Sequence, residues 1–363
     1  MKSAHIFTDK VRQMQPYTVQ SSSGMIKLDA MESPYQLPED MRQAFGKALS
    51  LRNINRYPNP YSTSLAAMIR KRFGLADNLS IILGNGSDEL IQIIIMAVAK
   101  PGAKILSPVP SFVMYQQVAQ LLGLTFIGID VKADFSVDED ILLAAIKTHQ
   151  PAVVFLANPN NPTGQLLSRS LIEAVIAAAP GLVVVDEAYS AYASDSALDL
   201  VAQHDHAILM MTLSKIGLAG IRLGYLAAHP TVTEHLNKVR MPYNISILTQ
   251  SAAHFMLDQM HYIEDCVKRL MAEKQKLYNW LSARKDLVVY PSETNFLLIR
   301  VADANDVFTR LRDDYKILVK NLHDYHLTLD NILRITIGNA DDNEQLRRAL
   351  AAILATCDHG LEQ

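Results

Sequence analysis

A lysine flanked by hydroxyls stands at the end of an apolar run in AILMMTLSKIGLAGIRLGY, residues 207–225. Ile208, Leu209, Met210 and Met211 lead into Thr212, Ser214 and Lys215, and a glycine-rich loop then carries Gly217, Gly220 and Arg222. Burying an ammonium is costly unless it is paired or neutralised. A desolvated lysine has a lowered pKa and can condense with a carbonyl as a Schiff base. The alternative is a lysine snorkelling from a strand end. The segment by itself leaves both open.

Two further apolar runs end in polar residues that would be awkward elsewhere. Residues 152–156 lead into Asn158-Pro159-Asn160-Asn161-Pro162-Thr163-Gly164, and residues 182–185 lead into Asp186-Glu187-Ala188-Tyr189. Asn-Pro pairs are ordinary turn material, and an acid after a strand is often only a helix cap. Three such ends in this order, with Arg222 beyond them, point to a ligand crevice, because open α/β sheets bind ligands beyond the carboxyl ends of their strands. A fourth candidate is the turn Gly84-Asn85-Gly86 followed by Ser87-Asp88-Glu89. A strand, a glycine turn, a hydroxyl cap and a helix can offer backbone N–H groups to a phosphate.

The elements that must position these residues alternate. Short β-branched runs at 81–83, 104–106, 124–129, 152–156, 182–185 and 207–212 are separated by helical spacing at 90–99, 112–122, 139–148 and 168–179. That pattern predicts an α/β fold with a mostly parallel sheet covered on both faces. Upstream, residues 1 to about 35 read as an extended arm, and helices are expected at 37–49 and 65–73, the second stopped by Gly74. Downstream, helices at 232–239, 247–260 and 261–283 precede a mixture of strands (296–300, 333–337) and helices (306–313, 343–355). Residues 317–331 show no clear period. The expected division is 1–45 as arm and part of the small domain, 46–260 as the large domain, and 261–363 as a smaller α+β domain.

Composition narrows the function classes. Of the 363 residues 49% are hydrophobic and 20% charged, the material of an ordinary globular core. A net charge of −3 without an extended basic patch gives no support for nucleic acid or an anionic membrane as partner. Two cysteines, Cys266 and Cys357, are too few for a disulfide framework or a zinc site, so no metal is expected. The N-terminal stretch has no apolar signal-peptide core, and no run is long enough to span a bilayer. A cytoplasmic protein is the expectation.

Taken together, Asn161-Pro162-Thr163-Gly164, Asp186-Glu187-Ala188-Tyr189, Ser214-Lys215 and Arg222 resemble the fold-type I pyridoxal-phosphate aminotransferases. Arg56-Tyr57-Pro58, the 84–89 turn, Ser292-Glu293-Thr294-Asn295 and Leu333-Arg334-Ile335-Thr336-Ile337-Gly338 resemble, within that superfamily, the histidinol-phosphate aminotransferase family. The similarity runs from about Tyr17 to about Ala355, nearly the whole chain. It implies pyridoxal 5'-phosphate as cofactor, held by Lys215 as a Schiff base, with the freed amine serving as proton shuttle. It implies Asp186 against the pyridine nitrogen, Asn161 and Tyr189 on the phenolate oxygen, and Phe112 stacked on the ring where relatives often carry tyrosine. The cofactor phosphate would meet the backbone at Gly86, Ser87 and Asp88, the hydroxyls of Thr212 and Ser214, and the Arg222 guanidinium. Tyr57 would reach it from the other subunit of a homodimer. Tyr17, Asn295, Lys320 and Arg334 are the implied substrate contacts, Arg334 because a guanidinium fork matches a carboxylate or phosphate.

The implied reaction is reversible transamination between imidazole-acetol phosphate plus glutamate and histidinol phosphate plus 2-oxoglutarate, in histidine biosynthesis. Two departures bear on it. Lys320 stands where many relatives carry an arginine, keeping the charge but losing the fork, and the loop from Lys215 to Arg222 is one residue shorter than in several members. An aromatic amino acid aminotransferase or a threonine-phosphate decarboxylase would use the same scaffold. A ligand sensor fused to a DNA-binding domain is not expected, with no basic patch and with Lys215, Asp186 and Arg222 all present.

Overall fold

The computed structural model describes residues 4–14, 16 and 20–356. Its strands are β1 (Ile26–Leu28), β2 (Ser80–Gly84), β3 (Lys104–Val109), β4 (Thr125–Asp130), β5 (Val153–Ala157), β6 (Leu182–Asp186), β7 (Ala207–Thr212), β8 (Gly224–Ala228), β9 (Val288–Tyr290), β10 (Phe296–Arg300), β11 (Ile317–Asn321) and β12 (Ile332–Thr336). Seven of them form one sheet in the order β2-β8-β7-β6-β5-β3-β4. β8 runs antiparallel to β2 and β7, and the other pairs are parallel. The fold is therefore α/β with a mixed, mostly parallel sheet.

The unalternating runs of the sequence have a direct cause in this sheet. Successive side chains point to opposite faces, and both faces are covered. Val154, Leu156, Val183, Val185 and Leu209 enter one core, with the helices Thr63–Phe73, Glu139–His149 and Arg169–Ala178. Their neighbours Val153, Phe155, Val184, Ile208 and Met210 enter the other, against the helix Ser87–Val98. Each such side chain contributes about 1.5–3 kcal/mol on burial. Polar residues are few within this double cover (Ser107 on β3 is one) and gather where the strands leave it.

The remaining five strands form a second sheet, β1-β11-β12-β10-β9, antiparallel except for β1 beside β11. The helices Met260–Ser282, Ala304–Asp313 and Ala340–Leu354 share its core. The last begins at a capping box in which Asn339 and Asp342 satisfy each other's backbone N–H groups.

Several elements differ from the sequence expectation. The arm is not simply extended: Thr8 accepts a hydrogen bond from the Val11 N–H and starts a helix over Asp9–Gln13, too short for an amphipathic period to show. Residues 26–28 form β1, whose pairing partners Ile317–Val319 lie some three hundred residues away, so no local pattern announces either strand. β11 occupies part of the stretch that lacked a clear period, and β9 and the short helix Leu198–Gln203 were not expected. At the 84–89 turn the cap is Gly86 and not Ser87, which is the first helical residue and makes no side-chain cap. Tyr17 and Cys357 lie outside the described residues. No described helix is long and apolar enough to cross a membrane.

Candidate active site

The carboxyl ends of β2, β5, β6 and β7 open onto one cavity of about 210 Å³. Its walls bring together Ser87, Asp88, Phe112, Asn161, Asp186, Tyr189, Thr212, Ser214, Lys215 and Arg222 from residues far apart in sequence. Lys215 leaves β7 into a wide turn, Ser214–Leu218, that is broken at Ile216 and at Gly217, whose φ of +99° suits glycine. The Lys215 Nζ lies 5.8 Å from the centre of the Tyr189 ring. Burial, then the guanidinium groups of Arg334 and Arg222, push its pKa down to about 8, against the opposing pull of Asp88 and Glu32. The Lys215 carbonyl accepts a hydrogen bond from the Tyr192 hydroxyl at 2.7 Å, which fixes the backbone that carries the amine.

Asp186 is the last residue of β6 and is 5% exposed. Its Oδ2 accepts from the Tyr115 hydroxyl at 2.6 Å and its Oδ1 from the Ala188 N–H at 3.1 Å. Burial pushes its pKa up to about 6, and those two hydrogen bonds pull the other way. The next residue, Glu187, turns from the cavity and accepts from the Ala197 N–H at 2.6 Å and the Ser196 hydroxyl at 2.7 Å. It thereby ties down the segment that carries Asp186 and Tyr189, and burial pushes its own pKa up to about 7.

The end of the cavity under the 84–89 turn is built for an anion. Ser87 and Asp88 at a helix start, the paired hydroxyls of Thr212 and Ser214 (3.0 Å apart) and the Arg222 guanidinium line it, whereas the expected contact Gly86 does not, and its N–H donates to the Gly84 carbonyl at 2.8 Å. Arg222 meets Asp88 at 3.3 Å. Gly86, at φ +80°, lets that guanidinium approach: an added Cβ would lie 2.8 Å from Arg222 Nη2. Gly224 on β8 has a similar role, since its Cβ would lie 2.7 Å from the Gly86 carbonyl carbon and the Ser87 nitrogen.

The remaining candidates stand at or beyond the rim. Arg334, on β12 and 7% exposed, donates to the Asn161 side-chain oxygen and to the Asp29 carbonyl (2.9 Å), so it reaches the cavity through Asn161. Asn295 is buried and donates to the Met31 carbonyl at 3.0 Å, supporting a wall residue without lining the cavity itself. Lys320 sits opposite Arg334 on the neighbouring strand, its Nζ 5.1 Å from the Tyr325 ring centre, and is not part of the wall. Tyr57 is 80% exposed, stacked on Tyr243 at 4.6 Å and away from the cavity of its own chain.

Sequence reasoning missed Tyr115 and the 30–32 segment. Tyr115 lies in the first turn of the helix Met114–Leu121 and Phe112 just before its cap, so no helical spacing marked the pair. Ala30, Met31 and Glu32 reach the cavity only because β1 pairs with β11, and nothing local marks them. The arrangement can anchor a phosphate at one end, set a carboxylate against a cationic ring atom at the other, and present an amine between them.

Comparisons with known proteins agree with that chemistry. The family described as aminotransferase class I and II matches residues 23–353. The chain is 47% identical to histidinol-phosphate aminotransferase 1 of Ralstonia nicotianae over 354 residues, covering 96% of this chain and 94% of the relative. It is 46% identical to the histidinol-phosphate aminotransferase of Chromobacterium violaceum over 334 residues, covering 92% and 94%. Among solved structures, the histidinol-phosphate aminotransferase of Sinorhizobium meliloti in complex with pyridoxal-5'-phosphate shares the fold with a TM-score of 0.85 at 23% identity, over 96% of this chain and 98% of that one. Relatives close to half identical across nearly the full length leave no room for a chance likeness, and the chain belongs to the class I and II aminotransferases, in the histidinol-phosphate aminotransferase family.

Proposed function

We propose that the protein is a pyridoxal-phosphate-dependent transaminase that makes histidinol phosphate and 2-oxoglutarate from imidazole-acetol phosphate and glutamate, reversibly, in histidine biosynthesis. One observation carries the reading: Lys215 faces a cavity that also holds the buried Asp186 and the anion-binding end around Arg222. Once bound, the cofactor supplies an electron-withdrawing pyridine ring that stabilises negative charge at the substrate α-carbon. Asp186 would hold the ring nitrogen in its protonated form, with Phe112 against the ring face and Asn161 and Tyr189 at the phenolate oxygen. The backbone N–H groups of Ser87 and Asp88, with Gly86 making room beside them, the hydroxyls of Thr212 and Ser214 and the Arg222 guanidinium would hold the phosphate. With a pKa of about 8, the Lys215 Nζ is about a tenth neutral at pH 7, enough to attack a carbonyl, and once freed it would move the proton between the substrate α-carbon and the cofactor C4′.

Arg334 would bind the substrate anion at the rim, in place of its present contact with Asn161, with Lys320, Asn295 and Tyr17 as further contacts. A homodimer, in which Tyr57 of the partner subunit completes the phosphate site, and a cytoplasmic location belong to the same proposal. So do the boundaries 1–45, 46–260 and 261–363, the first contributing β1 to the smaller sheet.

The test is a set of single turnovers of the yellow holoprotein with histidinol phosphate, phenylalanine and threonine phosphate. The visible cofactor band should decay fastest with histidinol phosphate. Faster decay with phenylalanine would assign the site to an aromatic transaminase, and carbon dioxide release from threonine phosphate would assign it to a decarboxylase.

A further inference from the structure

Tyr115 is the cavity residue to which neither the motifs nor the resemblance gives a task. It is fully buried, lies flat on Phe155 with ring centres 4.4 Å apart and planes at 11°, and meets Phe112 edge-on at 5.8 Å. These contacts leave its hydroxyl one direction, toward Asp186 Oδ2 at 2.6 Å. With the Ala188 N–H on Oδ1, the carboxylate is gripped at both oxygens, while each keeps a lone pair for a ligand. The charged groups around it are opposed: Asp88 on the helix Ser87–Val98 disfavours its ionisation and Lys215 favours it, while Tyr189 acts on Tyr115. A buried carboxylate deprived of one of two donors takes up a proton or rotates toward another partner. Rotation takes the carboxylate out of line with a ring nitrogen, and protonation removes the charge that stabilises a cationic one.

We propose that Tyr115 is a positioning residue that fixes Asp186 in rotamer and charge, so that the site selects a ring bearing a protonated nitrogen over one that lacks it. The inference rests on the pyridoxal-phosphate reading above. Tyr115 acts through Asp186.

The test measures binding to the apoprotein of pyridoxamine 5'-phosphate, which makes no covalent link to Lys215, and of its 1-deaza analogue, in which a C–H replaces the ring nitrogen. Wild-type protein should prefer the nitrogen-bearing ligand. Tyr115→Phe keeps both ring contacts and removes only the hydroxyl. It should lower the ratio of the two affinities at least about fivefold, mainly through weaker binding of pyridoxamine phosphate. An unchanged ratio, or equal losses for both ligands, overturns the proposal, because a merely structural role would weaken both alike. If Tyr115→Phe fails to fold, 3-fluorotyrosine at the same position serves instead: its more acidic hydroxyl is a stronger donor and should keep the ratio at or above the wild-type value, and a fall would overturn the proposal. Should wild-type protein bind neither ligand, the cofactor reading fails and takes this inference with it. Wild-type discrimination without a Tyr115 effect sinks the inference alone.

Discussion

Lys215 shows how burial converts an ordinary amine into a nucleophile. Its pKa lies at about 8 against a usual 10.5, so between these values the folded apoprotein holds the amine mostly neutral while the unfolded chain stays charged. Between those two pH values the unfolded state binds more protons, and stability must rise with pH across that window. Lys215→Met removes the buried charge. The apoprotein variant should exceed wild type in stability at pH 7 by up to roughly 3 kcal/mol, less where solvent reaches the amine. The advantage should fade through the window and vanish above pH 10.5, which paired urea titrations at pH 7 and pH 10.5 would reveal. A constant advantage would mean that Lys215 is not desolvated. The same variant should lose at least about 10²-fold in turnover, the ordinary worth of a proton-transferring group.

At the scale of elements, the site depends on how closely β8 approaches the turn between β2 and the helix Ser87–Val98. Gly224 pairs with Gly84 across the sheet edge, and a Cβ there would press on the backbone of Gly86 and Ser87. Gly224→Ala should therefore cost about 1–3 kcal/mol as an overpacked contact. It should also weaken cofactor binding, measured by equilibrium dialysis of pyridoxal phosphate, because the displaced N–H groups belong to the proposed phosphate cup. Gly46, in the exposed face of the helix Glu39–Ser50 with nothing within 4 Å of its missing Cβ, is the control. Gly46→Ala should leave binding unchanged and add up to about 1 kcal/mol of stability. If both substitutions behave alike, the close approach at Gly224 has no bearing on the site.

At the scale of the molecule, the segments around Tyr57 leave apolar side chains in solvent. Leu51, Ile54, Tyr57 and Met241 are each at least 70% exposed, and a patch of large apolar residues marks an interaction surface. Tyr57 is also the one proposed phosphate contact that its own chain leaves far from the cavity. A shared site predicts complementation. Tyr57→Ala and Lys215→Ala proteins, each deficient alone, should regain about a quarter of wild-type activity when unfolded and refolded as an equal mixture, because half the dimers are hybrids with one intact site each. No recovery in a mixture shown to form hybrids would rule out a subunit-spanning site.

What the sequence determined by itself was the set of candidate residues and the six expected strands of the large sheet, while β8, which makes the antiparallel pairs, was not expected. Lys215, Asp186 and Asn161 could be read as candidates because polar residues follow three buried runs in one order, Arg222 because it lies beyond them in a motif that resembles a known family, and the helices between those strands carry strong local periods. Tertiary structure decided the rest. The pairing of residues 26–28 with 317–319 brings Met31 and Glu32 to the cavity, and the stacking of Tyr115 on Phe155 aims a hydroxyl at Asp186. Contacts of this kind join segments far apart in sequence, and their geometry is set by packing, which a local pattern of residue types does not encode.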